Sequence, residues 1–179
     1  MKRSLILLST GALGVAMIYA GAGAQVLKNH DSNAPVNFTA DRIEVQDRAD
    51  RVVVSGNVEV TQAGMKLNAA RMTVAYRNGA GNGVEVDRID ASGNVVVTKG
   101  NETARGNVAI YDLNSRLITM IGNVTLTQGA NRLTGGRLVI DLTSGRSTVD
   151  GRSSGGASGV SGGSGGRVSG TFTVPQRKN

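Results

Sequence analysis

The side chains that do chemistry are few in this chain and poorly placed for it. There is no cysteine, and His30 is the single histidine. Disulfides, thiolate catalysis and cysteine metal sites are therefore excluded. Neither a Ser-His-Asp triad nor a histidine zinc site can be assembled around one imidazole. His30 precedes Asp31-Ser32-Asn33 and reads as a solvated residue of a flexible segment. Carboxylates do come in close pairs, Asp47 with Asp50 and Asp87 with Asp90. Such pairs serve as acid and nucleophile in glycoside cleavage, a reaction that stacked β structures host. Here they stand in turn-like contexts, where bonding to nearby backbone is the expected role. No glycine cluster opens a helix, so no phosphate loop is present. The residues point to no enzyme, no catalytic site, no metal and no cofactor.

The chain is basic, with a formal charge of +7 from 20 Lys and Arg against 13 Asp and Glu. A basic surface suits nucleic acid, a membrane or another anionic partner. Single-strand readers need aromatic stacking platforms, and Tyr76, Tyr111, Phe38 and Phe172 are scattered. The arginines are also spaced out rather than clustered, so no nucleic-acid partner is expected.

Those side chains must be positioned by strands. Residues 1–24 read as a signal peptide, with Lys2 and Arg3, an apolar run to Ala20, and Ala22-Gly23-Ala24 as the cleavage site. The mature chain then starts at about Gln25, in the secreted or periplasmic compartment. An uncleaved anchor is the competing reading, since the run from Leu5 to Ala24 approaches the length of a membrane span. Residues 25–35 read as a flexible lead-in ending at Pro35. From Val36 to residue 150, short apolar-polar alternations are separated by Gly, Asn, Asp and Ser, which means half-buried strands and an all-β domain. Residues 151–170 are nearly all Gly and Ser and read as a disordered linker. Residues 171–179 form a short tail with a possible edge strand.

The alternation repeats. Gly56-Asn57-Val58-Glu59-Val60-Thr61, Gly93-Asn94-Val95-Val96-Val97-Thr98 and Gly122-Asn123-Val124-Thr125-Leu126-Thr127 are three copies of a corner followed by a strand. Arg42, Arg71, Asn107 and Arg137 each precede an apolar-x-apolar run and are 29, 36 and 30 residues apart. The long interval contains a Gly-rich insertion at 78–83. One such layer cannot bury its apolar face alone; stacked layers share a hydrogen-bond ladder and a continuous interior. Alternation predicts an inward set of Ile43, Val45, Val52, Val54, Val58, Val60, Leu67, Met72, Val74, Ile89, Val95, Val97, Val108, Ile110, Leu117, Val124, Leu126, Leu133, Leu138 and Ile140. Any β protein needs such a core, so this set by itself says only "inside".

Three stretches resemble a known family. Pro35-Val36-Asn37-Phe38-Thr39-Ala40-Asp41, Asp50-Arg51 through Thr61-Gln62, and Leu67-Asn68-Ala69-Ala70-Arg71-Met72-Thr73-Val74 are similar to the OstA-like, LptA family. The resemblance spans about residues 35–150 and leaves out the Gly/Ser tail. It implies a β-jellyroll of stacked short antiparallel strands forming an open, V-shaped trough, whose interior side chains hold the acyl chains of lipopolysaccharide. It also implies an edge at Val36 and Phe38 that meets an LptC-like inner-membrane partner. The opposite edge, around residues 138–149, would meet an LptD-like outer-membrane partner or a second copy, head to tail. The alternatives are an adhesin-like structural β-solenoid without a lipid, and a membrane-anchored, LptC-like subunit of the same fold.

Overall fold

A computed structural model describes residues 30–79, 83–151 and 166–173. Residues 1–24, expected to be a signal peptide, residues 25–29, the middle of the Gly-rich insertion, most of the Gly/Ser segment and residues 174–179 lie outside the described residues.

Among the described residues, ten strands form one open antiparallel sheet. They are β1 (Asn37–Thr39), β2 (Arg42–Gln46), β3 (Arg51–Gln62), β4 (Met65–Asn78), β5 (Val84–Lys99), β6 (Glu102–Asp112), β7 (Leu117–Gln128), β8 (Asn131–Asp141), β9 (Arg146–Asp150) and β10 (Ser169–Thr171). Strands β3 to β8 are neighbours in chain order. Two short strands share each outer edge: β1 and β2 both pair with β3, and β9 and β10 both pair with β8.

The long strands do not run straight. In β3, β5 and β7 the Gly-Asn pairs all have positive φ: Gly56 at 78° and Asn57 at 44°, Gly93 at 82° and Asn94 at 50°, Gly122 at 82° and Asn123 at 48°. Glycine enters this left-handed region freely and Asn tolerates it better than most residues, which explains the repeated dipeptide. The ladder register shifts at each of these positions, as in a β-bulge, so every layer bends along one line.

The bend folds the sheet onto itself. Tyr111 stands in the row of Val52, Val74 and Ile89, ten residues along β3 from Gln62. In a flat sheet, that separation alone would be roughly 33 Å. Yet the Tyr111 hydroxyl donates a hydrogen bond of 2.8 Å to Gln62 Oε1. The two halves therefore face each other across the interior.

The odd strands keep their inward parity through the corner, as Val54 and Val58 do, whereas the even strands slip by one residue, from Ala69 to Met72 and from Ala104 to Ala109. The inward set is corrected at three positions. In β6 the slip turns Val108 and Ile110 outward, and Leu117 at the start of β7 is one residue out of phase with Ile118 and Met120: Val108 pairs with Ser92 and Ile121, Ile110 with Asp90 and Thr119, and Leu117 with Asp112 and Asp141. Their inward places are taken by Ala109, Tyr111, Ile118 and Met120, all 1% exposed or less.

Ile43 and Val45 are in phase with the interior but are 51% and 60% exposed. They stand on an edge strand with a neighbour on one side only. Val52 is half-buried against the core. The remaining members are buried, except Leu133, which is partly buried beneath β10.

Candidate functional site

Strand pairing arranges the interior into rows that cross every layer. One row reads Val54, Met72, Ala91, Ala109, Met120, Leu138, Val149. A second reads Val60, Leu67, Val97, Ala104, Leu126, Leu133. Phe38 on β1 ends this second row on one side and Gly170 on β10 ends it on the other. Beside the corner line, Val58, Val95 and Val124 face small partners at Ala69, Gly106 and Gly135. Aliphatic side chains thus fill the space between the halves, and the named members from Val54 to Leu138 are almost wholly buried.

Opposite the corners, the mouth between the halves is polar. Its lip carries Gln62, Lys99, Glu102, Gln128 and Asn131 at the ends of β3, β5, β6, β7 and β8. Gln128 Nε2 donates to Glu102 Oε1 at 2.7 Å. At the β3 end the mouth is clasped by the segment that precedes β1. Gln62 Nε2 donates to the carbonyl oxygens of Ser32 and Ala34, at 3.0 and 2.9 Å. Gln62 Oε1 accepts from Tyr111 and lies 3.1 Å from His30 Nε2. Because that oxygen can only accept, Nε2 carries the proton and Nδ1 accepts from Lys99 Nζ at 3.5 Å.

His30 is 9% exposed. Burial lowers its pKa; the nearby charge of Lys99 acts in the same direction, while the bond to Gln62 and the charge of Asp31 oppose it. Burial likewise lowers the pKa of Lys99, against the pull of Glu102, and raises that of Tyr111.

Two expectations change here. Residues 30–35, read as flexible, are strapped across the mouth, and His30, read as solvated, is one of the few buried polar residues. Sequence offered no signal for either, since nothing beside a lone His names its partners at positions 62, 99 and 111. Of the residues expected at the partner edge, Phe38 lies on the outermost strand β1 and is 37% exposed, and Val36 packs on the core. Among the described residues no group of three His, Cys, Asp or Glu could hold a metal ion. No helix among them is long and apolar enough to cross a membrane.

The fold resembles that of LptH from Pseudomonas aeruginosa, described as the LptA homologous periplasmic component of the lipopolysaccharide transport device. The TM-score is 0.68 and the identity 20%, covering 80% of this chain and 99% of that one. An uncharacterized protein of Rhizobium meliloti (strain 1021) is 29% identical over 125 residues, 64% of this chain and 67% of that protein. Residues 37–146 match the family described as LptA/(LptD N-terminal domain) LPS transport protein. That match covers more than half of the sequence, and with the folded sheet and its apolar rows it places the chain in this family of lipopolysaccharide transport proteins.

Proposed function

We propose that the protein is a periplasmic carrier that takes the acyl chains of lipopolysaccharide between the two halves of its folded sheet. The observation that carries this reading is the continuity of the apolar rows. The row from Val54 to Leu138 crosses all six long strands without a charged or polar member. Each methylene that leaves water against such a surface contributes about 0.8 kcal/mol. The corners on one side act as the hinge, and the hydrogen-bonded mouth on the other is the opening. Parting the halves exchanges side-chain contacts for lipid contacts of the same kind. The excess of arginine suits a phosphorylated headgroup held outside the slot.

The outer strands then serve as joints. Unpaired strand edges invite pairing with another chain, so the β1–β2 edge meets an LptC-like inner-membrane partner. The β9–β10 edge meets an LptD-like outer-membrane partner or the next copy. Photo-crosslinking groups at Val58, Val95 or Val124 are expected to capture lipopolysaccharide, and one at Glu59 is not. Capture from Glu59 alone would overturn the inner slot. Phe38→Asp tests the first joint: it should abolish pull-down of the inner-membrane partner without unfolding the domain, whereas Val36→Asp would also damage packing.

A second reading is a structural stack with no ligand, favoured by the complete burial of Val54, Met72 and Ile89. That reading predicts no capture from any inward position.

A further inference from the structure

The Gly/Ser-rich end of the chain does not simply trail away from the last layer. Strand β9 covers β8 from Arg137 to Asp141, and continuing past Asp150 it would next cover Gly135 to Asn131. The chain leaves instead at Gly151 and returns at Gly166, whose backbone lies against that of Gly151. Strand β10 then takes the vacated place, with Ser169, Gly170 and Thr171 opposite Thr134, Leu133 and Arg132. On the other side of β8 the same three residues face Thr125, Leu126 and Thr127.

Gly166-Arg167-Val168-Ser169-Gly170-Thr171 therefore stands in the register of Gly122-Asn123-Val124-Thr125-Leu126-Thr127, and the two share Gly, Val and Thr at matching places. Gly166 also repeats the positive φ of the corner glycines, at 52°. The tail is a further copy of the corner-and-strand unit, separated from its layer by residues 152–165, of which eleven of fourteen are Gly or Ser.

The seat is specific but light. Thr134 Oγ1 and Ser169 Oγ are 2.5 Å apart, and Asn131 Oδ1 accepts from the amide of Thr173 at 3.0 Å. A side chain at Gly170 would meet Leu133 Cδ2 at 2.5 Å, so the leucine would have to turn aside to admit one. Residues 166–173 are exposed throughout, with Phe172 at 60%. We propose that Gly166–Thr173 is a detachable edge strand, which the chain supplies either to its own β8 or, across residues 152–165, to the β8 of a second copy. The occupant is a second copy because the strand shown to fit this edge is present, identical, in every copy. Such exchange of an identical element is a low-cost route to association. It does not depend on what the slot carries.

A connection of this length and composition holds its own strand at an effective concentration on the order of 1 mM. The self-seated form therefore dominates in dilute solution, and exchange grows in proportion to protein concentration. The absence of native cysteine makes a disulfide trap clean. In the full chain, Thr134→Cys with Ser169→Cys should lock within one molecule at low concentration. Full-length chains carrying one substitution each, differently tagged and mixed under oxidation, should give a mixed covalent dimer above the level of either like-with-like dimer. Its yield should rise with concentration and fall several-fold when Gly170→Val is added to the Ser169→Cys chain. A mixed product no greater than the like-with-like products overturns exchange, and failure of the double variant to lock within one chain overturns the seat itself.

Discussion

The two edges of the sheet solve one problem in different ways. At the first edge, β1 and β2 are joined directly through Ala40 and Asp41, and the joint is fastened. Asp41 donates its amide to Gly56 O at 2.9 Å and accepts from Asn57 Nδ2 at 2.9 Å, while Gln62 clasps the segment before β1. At the last edge, β9 and β10 are parted in sequence by residues 151–168, and Gly151 abuts Gly166. Both edges lay a short strand on the same interior row, under Phe38 on one side and Gly170 on the other. Both short strands are themselves exposed, but the segment before β1 is fastened by the buried Gln62, whereas the polar side-chain contacts at β10 are exposed.

Substitutions should break this contrast in a definite order. Gly56→Ala is expected to be worst, because a methyl there would run into Asp41 in a left-handed backbone; about 3 kcal/mol of stability should be lost in urea unfolding. Gln62→Ala removes the clasp and strands buried partners, with an expected cost of about 2 kcal/mol. Faster amide exchange in residues 31–36 should accompany it, and an unchanged exchange rate would show that the strap has other support.

Acid should act on the same edge. His30 has a lowered pKa in the fold, so the unfolded chain takes the proton first as pH falls below the ordinary value of 6.5. Its contribution is therefore present above 6.5 and is lost as pH drops through the lower folded value. Unfolding midpoints measured on both sides of that pH should differ, and His30→Gln should flatten the difference. At the last edge, Gly170→Val should change global stability by under about 0.5 kcal/mol while abolishing amide protection at Arg132 and Thr134.

Much of the fold was legible because layers repeat. The corner glycines and the valines after them define β3, β5 and β7, and Val58, Val95 and Val124 are each 1% exposed. What misled was β6. Asn107-Val108-Ala109-Ile110 looks like Arg71-Met72-Thr73-Val74, but pairing sets Ala109, not Val108, in the row of Met72. Alanine and glycine at Ala69, Gly106 and Gly135 give alternation nothing to register, and the slip sits beside them.

The sequence suggests an edge strand only from residue 171, and its start at Ser169 hid for the same reason, since Gly170 occupies the place of an inward leucine. The Gly-x-Val-x-x-Thr spacing from Gly166 to Thr171 was the available signal, obscured by surrounding Gly and Ser. The polar mouth was not readable at all, because His30, Gln62 and Tyr111 meet only through the bend.

The abutment of Gly151 and Gly166 has an engineering consequence. A chain that departs and returns at one point can carry an insert there without altering the spacing of the strands on either side. Doubling the length of such an excursion adds only about 0.6 kcal/mol to its closure. A fluorescent protein spliced between residues 152 and 165 would ride on the outside of the last layer, its linkers reporting whether the strand beyond it is docked at home or lent to a neighbour.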